Sequence, residues 1–322
     1  MLVLIIGLGS MGKRRYRLLK EIDESIEIYC VETNDERASA VASKFHTVCF
    51  TDLETAMNSN YKYDAVFVCT SPLSHHGIID ELLKYDVDIF TELNLISDGY
   101  DRYIDVKDRS LFLSSTFLYR KDIRWMIDKV SGSKVNYIYH TGQYLPDWHP
   151  WEDYRKYFVG NKQSNGCREI MAIEFPWLIE AFSDVKDIVV KKGSLSSLEV
   201  DYPDNYMISV EHENGSKGMI AVDVVSRCPM RKLEIYNEDM QILWGGRPDT
   251  LKCLDMETHE FSDVKVYDDV QHQEGYSSNI IENAYRAEIE AFFECKKGYS
   301  EAALYSFEKD KRVLELIDEI EK

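Results

Sequence analysis

The stretch Leu2-Val3-Leu4-Ile5-Ile6-Gly7-Leu8-Gly9-Ser10-Met11-Gly12 decides how this chain folds. Its unbroken apolar run reads as a strand buried on both faces, and it leads directly into a G-x-G-x-x-G turn. Lys13 to Glu21 then carries helical spacing. Glycine meets three separate needs in such a turn: a tight bend at Gly7, close approach of a pyrophosphate at Gly9, and close helix–strand packing at Gly12. Ser10 and Met11 open the helix, whose first N–H groups and partial positive charge suit phosphate oxygens. Glu32 ends the second apolar run, Glu27 to Glu32, twenty residues beyond Gly12. A carboxylate there accepts hydrogen bonds from ribose hydroxyls and repels a 2′-phosphate, so the pattern favours NAD(H) as cofactor. Arg37 and the Lys13-Arg14-Arg15 run keep NADP(H) open.

Beyond Glu32 the alternation continues. Helical spacing covers Asp35 to Phe45, Asp52 to Met57 and Gly77 to Lys84; strand-like runs cover Thr47 to Phe50, Ala65 to Thr70, Asp88 to Thr91 and Leu111 to Ser114. Nearly continuous hydrophobic strands between helices predict a doubly wound parallel sheet, an α/β dinucleotide-binding (Rossmann) domain. In such sheets a ligand lies beyond the carboxyl ends of the strands. Thr70, Ser71 and Pro72, and then Glu92 and Asn94, are therefore candidate cofactor-binding residues. His75 opens the next helix, where a helix-end hydrogen-bonding role competes with a functional one.

The rhythm changes near residue 119. A helix over Lys121 to Val130 precedes longer strand-like stretches at Val135 to Gln143, Asp187 to Lys192, Asp204 to His212, Lys217 to Val225 and Arg231 to Asn237. Several alternate apolar with polar residues, as an antiparallel sheet with one buried face requires. Ile170 to Phe182, Asn279 to Lys296 and Ala302 to Glu321 read as helices. The expected organisation is a Rossmann domain over 1-118 and an α+β domain with an open, largely antiparallel sheet over 119-322. The C-terminal helices are free to pack back on the first domain. With no Gly/Ser linker between the two, a ligand is expected to sit between them.

Bulk properties narrow the partners. The 322 residues carry 38 Lys and Arg against 57 Asp and Glu, a net charge of −19. Such a surface repels nucleic acid and anionic membranes, leaving a small molecule as the expected partner. The seven scattered cysteines form no CxxC pair and read as reduced thiols, with no metal site expected. The apolar N-terminus has no basic lead and ends at Gly7, so it reads as a first strand, not a signal peptide, and a cytoplasmic protein is expected.

Together these pieces resemble the glucose–fructose oxidoreductase / inositol dehydrogenase / MocA (Gfo/Idh/MocA) family. The likeness rests on Gly7 to Gly12, on Cys69-Thr70-Ser71-Pro72 with His75, on Phe90-Thr91-Glu92, and on Gly142 to Pro150. It continues in Asp223-Val224-Val225-Ser226-Arg227 and in Tyr285-Arg286-Ala287-Glu288-Ile289 with Phe292. The resemblance implies an oxidoreductase acting on a hydroxyl or keto group of a sugar, sugar nucleotide or cyclitol. It also implies a homodimer or homotetramer formed through the second domain's sheet.

The departures bear on chemistry. Where the family reads Glu-Lys-Pro, with a lysine assisting proton transfer, this chain has Glu92, Leu93 and Asn94. Where the family carries an Asp and an acid/base His, this chain has Ile170 and either Ile173 or Glu174. Hydride transfer still needs a proton partner near the alcohol oxygen. Candidate replacements are His149, Tyr144, Glu169 and Glu174. Arg120, Trp148 and Arg168 are candidate substrate-binding residues, Trp148 because aromatic faces stack on sugar rings and Arg168 as an orienter of a carboxylate. Two other readings stay open: a non-catalytic NAD(H)-binding sensor, and a lyase or epimerase with a transient redox cycle.

Overall fold

The computed structural model describes residues 1–107, 109–150, 152–273 and 280–322, and it falls into two compact units. The first comprises Met1–Thr116 with Tyr285–Lys311, and the second Phe117–Ala284 with Arg312–Lys322. The chain thus crosses between units after Thr116, Ala284 and Lys311. Trp151 and Asn279 of the sequence reading lie outside the described residues.

Unit one contains β1 (Leu2–Ile6), α1 (Ser10–Ile22), β2 (Glu27–Val31), α2 (Asp35–Phe45), β3 (Cys49–Phe50), α3 (Leu53–Met57), β4 (Ala65–Val68), α4 (His75–Leu82), β5 (Asp88–Thr91), α5 (Tyr100–Ile104) and β6 (Leu111–Leu113). Every strand pair is parallel and the sheet order is β3-β2-β1-β4-β5-β6, the order of a dinucleotide-binding fold. Val3, Leu4, Ile5, Val66, Phe67 and Phe90 have no exposed surface, as a sheet covered on both faces demands. Phe67, Phe90 and Phe112 line up across three neighbouring strands. The ring of Phe292 meets each of them edge-on, at centroid distances of 5.4, 5.7 and 5.8 Å.

Unit two begins with α6 (Lys121–Val130), β7 (Asn136–Gly142) and α7 (Gly166–Phe182). It continues with β8 (Val185–Gly193), β9 (Asn205–His212), β10 (Lys217–Asp223), β11 (Met230–Tyr236), β12 (Gln241–Trp244), β13 (Lys252–Leu254) and β14 (Phe261–Asp263). These strands form one sheet in the order β14-β13-β12-β11-β7-β10-β9-β8, antiparallel throughout except for the β7–β10 pair. The fold class read from the sequence is the one observed.

One face of this sheet packs Tyr137, Tyr139, Tyr206, Ile208, Ile220 and Leu233 into the core. On the opposite face Ile138, Met207, Met219 and Val189 are each about half exposed, at 51%, 51%, 47% and 59%. Ile138 and Met219 are register partners and stand side by side on that face. Two helices close the chain: α8 (Glu282–Lys296) and α9 (Phe307–Glu321). Among the described residues no helix is long and apolar enough to cross a membrane.

Candidate functional site

In unit one the glycine turn has the shape its spacing implies. Gly7 sits at φ +87°, and a Cβ there would come within 2.8 Å of Thr70 Cγ2 and 2.9 Å of the Cys69 carbonyl oxygen. The missing side chain is what lets the end of β4 close on the turn. A Cβ at Gly12 would strike the Gly7 carbonyl oxygen, whereas one at Gly9 would meet nothing within 4 Å. Gly7 and Gly12 are therefore fixed by the protein's own packing. Gly9 is not, and the space it leaves open lies at the start of α1, whose N-cap makes no side-chain hydrogen bond. A dinucleotide pyrophosphate approaching the helix start would use that opening, and Gly9, Ser10, Met11 and Gly12 are the residues that would hold it.

Glu32 lies at the end of β2 and is 5% exposed. Its carboxylate accepts from Leu8 N at 3.0 Å and Asn34 N at 3.0 Å, which ties the glycine turn to the segment after β2. The exposed guanidinium of Arg37 reaches Glu32 Oε2 at 3.3 Å. A carboxylate with an arginine beside it accepts ribose hydroxyls and also tempers repulsion of a 2′-phosphate. Lys13, Arg14 and Arg15, read as one basic run, do not act together. Lys13 is exposed, Arg14 lies 4.5 Å over the Tyr285 ring, and Arg15 is fully buried.

Arg15 changes the reading of Glu92. Its Nε and Nη2 donate to the two Glu92 oxygens at 2.6 and 3.1 Å, and Nη2 also donates to Glu288 Oε2 at 2.6 Å. Glu288 accepts further from Ser114 Oγ, Ser115 N and Thr116 Oγ1 at 2.9, 2.8 and 3.0 Å. The Glu92 carboxylate is thus turned into the unit, and with it the Cys69 thiol, which burial and the Glu92 charge push up. The side chain read as a cofactor ligand serves the interior instead.

His75 and Asn94 show the same pattern. The ring is buried, with Nδ1 2.6 Å from Asn94 Oδ1 and Nε2 3.0 Å from the Thr70 carbonyl. Burial lowers the imidazole pKa, so the ring is neutral at pH 7. A neutral ring satisfies both contacts when Nε2–H donates to Thr70 and the Asn94 amide, turned over, donates to Nδ1. These side chains lock the ends of β4 and β5, where Thr70, Ser71 and Pro72 form the lip. Ser74 Oγ caps that lip on Thr70 Oγ1 and the Ser71 carbonyl, both at 2.8 Å.

In unit two, four candidates fall on one wall at the start of α7. Gln143 N and Leu145 N donate to the carbonyls of Asp223 and Val224 at 3.3 and 3.0 Å, joining the segment after β7 to that after β10. Trp148 Nε1 donates to the Gln143 carbonyl at 3.1 Å, and its ring edge lies over Gly166. Tyr144 carries the Arg227 guanidinium 3.9 Å over its ring. His149 stacks on Tyr157 at 4.8 Å and 14°. Its Nδ1 lies 3.6 Å from Glu152 Oε2.

Glu169 stands one turn into α7. Its Oε2 is sealed from solvent and has no hydrogen-bond partner among the described residues, and burial raises the carboxyl to about 8. The Tyr157 hydroxyl is pushed up by burial and then by the carboxylates of Glu169 and Glu152, so these groups are neighbours. A carboxyl that changes charge near neutral pH can give or take a proton at the pH where a cell works.

The remaining candidates are engaged elsewhere. Glu174 is 1% exposed and accepts from Tyr139 OH, Trp177 Nε1 and Arg231 Nε at 2.7, 2.8 and 2.7 Å, which makes it a structural anchor. Arg120 pairs with Asp122 at 2.6 Å and donates to the Gly246 carbonyl, buried beneath Trp244. Arg168 holds α9 through Asp318 and Glu321 at 2.7 and 2.5 Å. Both arginines serve packing where the sequence suggested substrate. Sequence reasoning gave neither Tyr157 nor Arg227 a role of its own; the Asp223-x-x-Ser226 turn beside Tyr144 was the available signal for Arg227.

The glycine cradle, the acidic residue at the end of β2 and the strand order define a two-unit protein whose first unit is an NAD-binding Rossmann domain. Residues 1–93 match the family described as "Oxidoreductase family, NAD-binding Rossmann fold", in line with the Gfo/Idh/MocA resemblance of the sequence. No curated protein sequence matches the chain.

Solved structures share the whole fold at low identity. Levoglucosan dehydrogenase in complex with NADH superposes with a TM-score of 0.78 at 16% identity, covering 100% of this chain and 95% of that one. UDP-N-acetylglucosamine 3-dehydrogenase from Acidithiobacillus ferrooxidans gives 0.75 at 16% identity, covering 100% and 96%. An oxidoreductase of Desulfitobacterium hafniense, provisionally described as NADPH-dependent, gives 0.78 at 11% identity, covering 98% and 93%.

Proposed function

We propose that this chain is an NAD(H)-dependent dehydrogenase or reductase acting on a hydroxyl or keto group of a sugar, sugar nucleotide or cyclitol derivative. The observation that carries the reading is the opening at Gly9, left by a turn whose other two glycines are fixed by packing. The bound nicotinamide supplies a hydride acceptor or donor. The chain's own residues cradle the pyrophosphate at Gly9 to Gly12 and hold the adenosine ribose at Glu32, with NAD(H) favoured and NADP(H) accommodated by Arg37. Glu169 supplies the proton partner that the family draws from its lysine and histidine, and Trp148 and Tyr144 form the sugar-facing wall.

The half-exposed apolar face of the second sheet supports a homodimer or homotetramer. Seven free cysteines suit a reducing, cytoplasmic setting. A second reading, a non-catalytic NAD(H) sensor, draws on Leu93 at the family's lysine position and on the fully paired Glu174.

The deciding experiment is titration with NADH and NADPH, followed by turnover at 340 nm across a panel of sugars and sugar nucleotides. NADH binding with an absorbance change establishes the enzyme. Tight NADH binding with no turnover across the panel favours the sensor. No binding of either dinucleotide overturns both readings.

A further inference from the structure

We propose that Arg227 is a specificity-determining residue that binds an anionic oxygen group, carboxylate or phosphate, carried by the sugar substrate. The assignment rests on the sugar-oxidoreductase reading above and adds the charge of the substrate to it.

Acidic groups outnumber basic ones in this chain by 57 to 38, so an arginine readily finds a carboxylate. In unit two Arg120, Arg155, Arg168, Arg231 and Arg247 each do so. Arg227 is exposed, and among the described residues it pairs with none. Its guanidinium lies 3.9 Å over the ring of Tyr144 instead. A guanidinium held over an aromatic face by cation–π attraction uses none of its N–H groups in that contact, so its fork remains available for two parallel bonds to a carboxylate or phosphate.

The backbone beneath it is fixed. Asp223 accepts from Val225 N, Ser226 N and Ser226 Oγ at 2.9, 2.7 and 3.0 Å. Asp223 is itself held by His140 Nε2 at 2.7 Å. The carbonyls of Asp223 and Val224 take Gln143 N and Leu145 N, and Trp148 Nε1 hangs from the Gln143 carbonyl. Arg227, Tyr144 and Trp148 therefore stand on one rigid frame, a cation beside two ring faces. That combination suits a sugar bearing a negative charge.

The test is equilibrium binding to the full chain at saturating NADH with two matched pairs of probes. UDP-N-acetylglucosamine is set against N-acetylglucosamine, and glucuronate against glucose. The expected result is that a charged member binds at least tenfold more tightly than its neutral partner. R227A should remove that preference, weakening the charged probe about ten- to hundredfold while leaving NADH affinity and the neutral probes unchanged. R227K should restore only part of it, since a point charge lacks the fork. Y144L should weaken the charged probe and Y144F should not, because the ring face does the positioning.

The pair that discriminates tells diphosphate from carboxylate. Equal binding within both pairs, no binding of either charged probe, or an R227A variant that keeps the preference would each overturn the assignment. Turnover of a neutral sugar by a protein insensitive to R227A sinks this inference alone. Failure to bind NADH sinks the functional reading, and this one with it.

Discussion

Arg15 and Glu288 stand 273 residues apart in the chain and meet at 2.6 Å with no exposed side-chain surface on either. Glu92 completes the group from the end of β5, so one guanidinium serves two carboxylates. Burial raises the Glu288 carboxyl while Arg15 opposes the rise, so the proton balance of the pair depends on the arginine. Arg15→Ala should cost about 3–5 kcal/mol by leaving two buried carboxylates without their cation. Urea denaturation measures it, and the double variant R15M/E288L should recover part of the loss. Equal stability of R15A and wild type would remove the cluster from the account.

Gly9 and Gly12 make opposite predictions. Gly9→Val should leave the thermal midpoint within a few degrees and abolish NADH binding, because its side chain enters only the phosphate space. Gly12→Ala should unfold or strongly destabilise unit one by striking the Gly7 carbonyl. Fluorescence titration with NADH and a melting curve on the same samples check both. A Gly9→Val protein that still binds NADH would displace the cofactor site.

Glu32→Ala should weaken NAD and relax discrimination against NADP by about tenfold. Arg37→Ala should act in the reverse sense, lowering affinity for NADP only. Dissociation constants for the two dinucleotides across the variants decide it, and an unchanged NAD/NADP ratio in Glu32→Ala would remove Glu32 from the ribose.

Stability should fall at both ends of the pH scale. Glu169 holds its proton in the folded chain up to about 8, whereas 4.5 is its ordinary value. Its contribution is complete below about 4.5 and lost as pH rises through 8. His75 and His212 lie below their ordinary 6.5 through burial, so their contribution is full above that pH and is lost as pH falls below it. Glu169→Gln should therefore match wild type at pH 5 and exceed it at pH 8.5, by on the order of 2 kcal/mol after discounting for partial solvent contact. Urea midpoints across that range check it. Identical pH profiles would return Glu169 to an ordinary carboxylate.

The outer face of the second sheet should hold copies of the chain together. Ile138→Lys with Met219→Lys places two charges at adjacent register positions of that surface. Size-exclusion chromatography with light scattering should show a dimer or tetramer for wild type and a monomer for the variant. A monomeric wild type at micromolar concentration would overturn the expectation.

The sheet of unit one was legible because its strands are runs such as Ala65-Val66-Phe67-Val68, in which every residue is buried and no polar residue interrupts the pattern. The strands β12 to β14 were not, since each spans only three or four residues and those of β14 are all exposed. α7 begins at Gly166, earlier than its apolar spacing suggests, because the Asn165 side chain caps it on Arg168 N at 2.8 Å. α5 follows Gly99 at φ +82° and is a single short turn, too brief for periodicity to reveal. At the site, spacing placed the turn from Gly7 to Gly12 at the junction of β1 and α1. It could not show which polar side chains the interior would claim, since Glu92 is taken by an arginine on α1, and Arg168 by the end of α9. Partnerships across such distances leave no local trace in a sequence.

The ladder of Phe67, Phe90 and Phe112 is closed by Phe292, a residue encoded long after the chain has left unit one and built most of unit two. The dinucleotide half of this protein is therefore not a detachable cassette. A polypeptide ending at Thr116 would present three stacked rings to water and leave Arg15 without Glu288. During synthesis the cofactor half must wait, with its aromatic flank uncovered, until the last eighth of the chain emerges. Exchange of cofactor preference between such proteins by swapping N-terminal segments would have to carry α8 along with it.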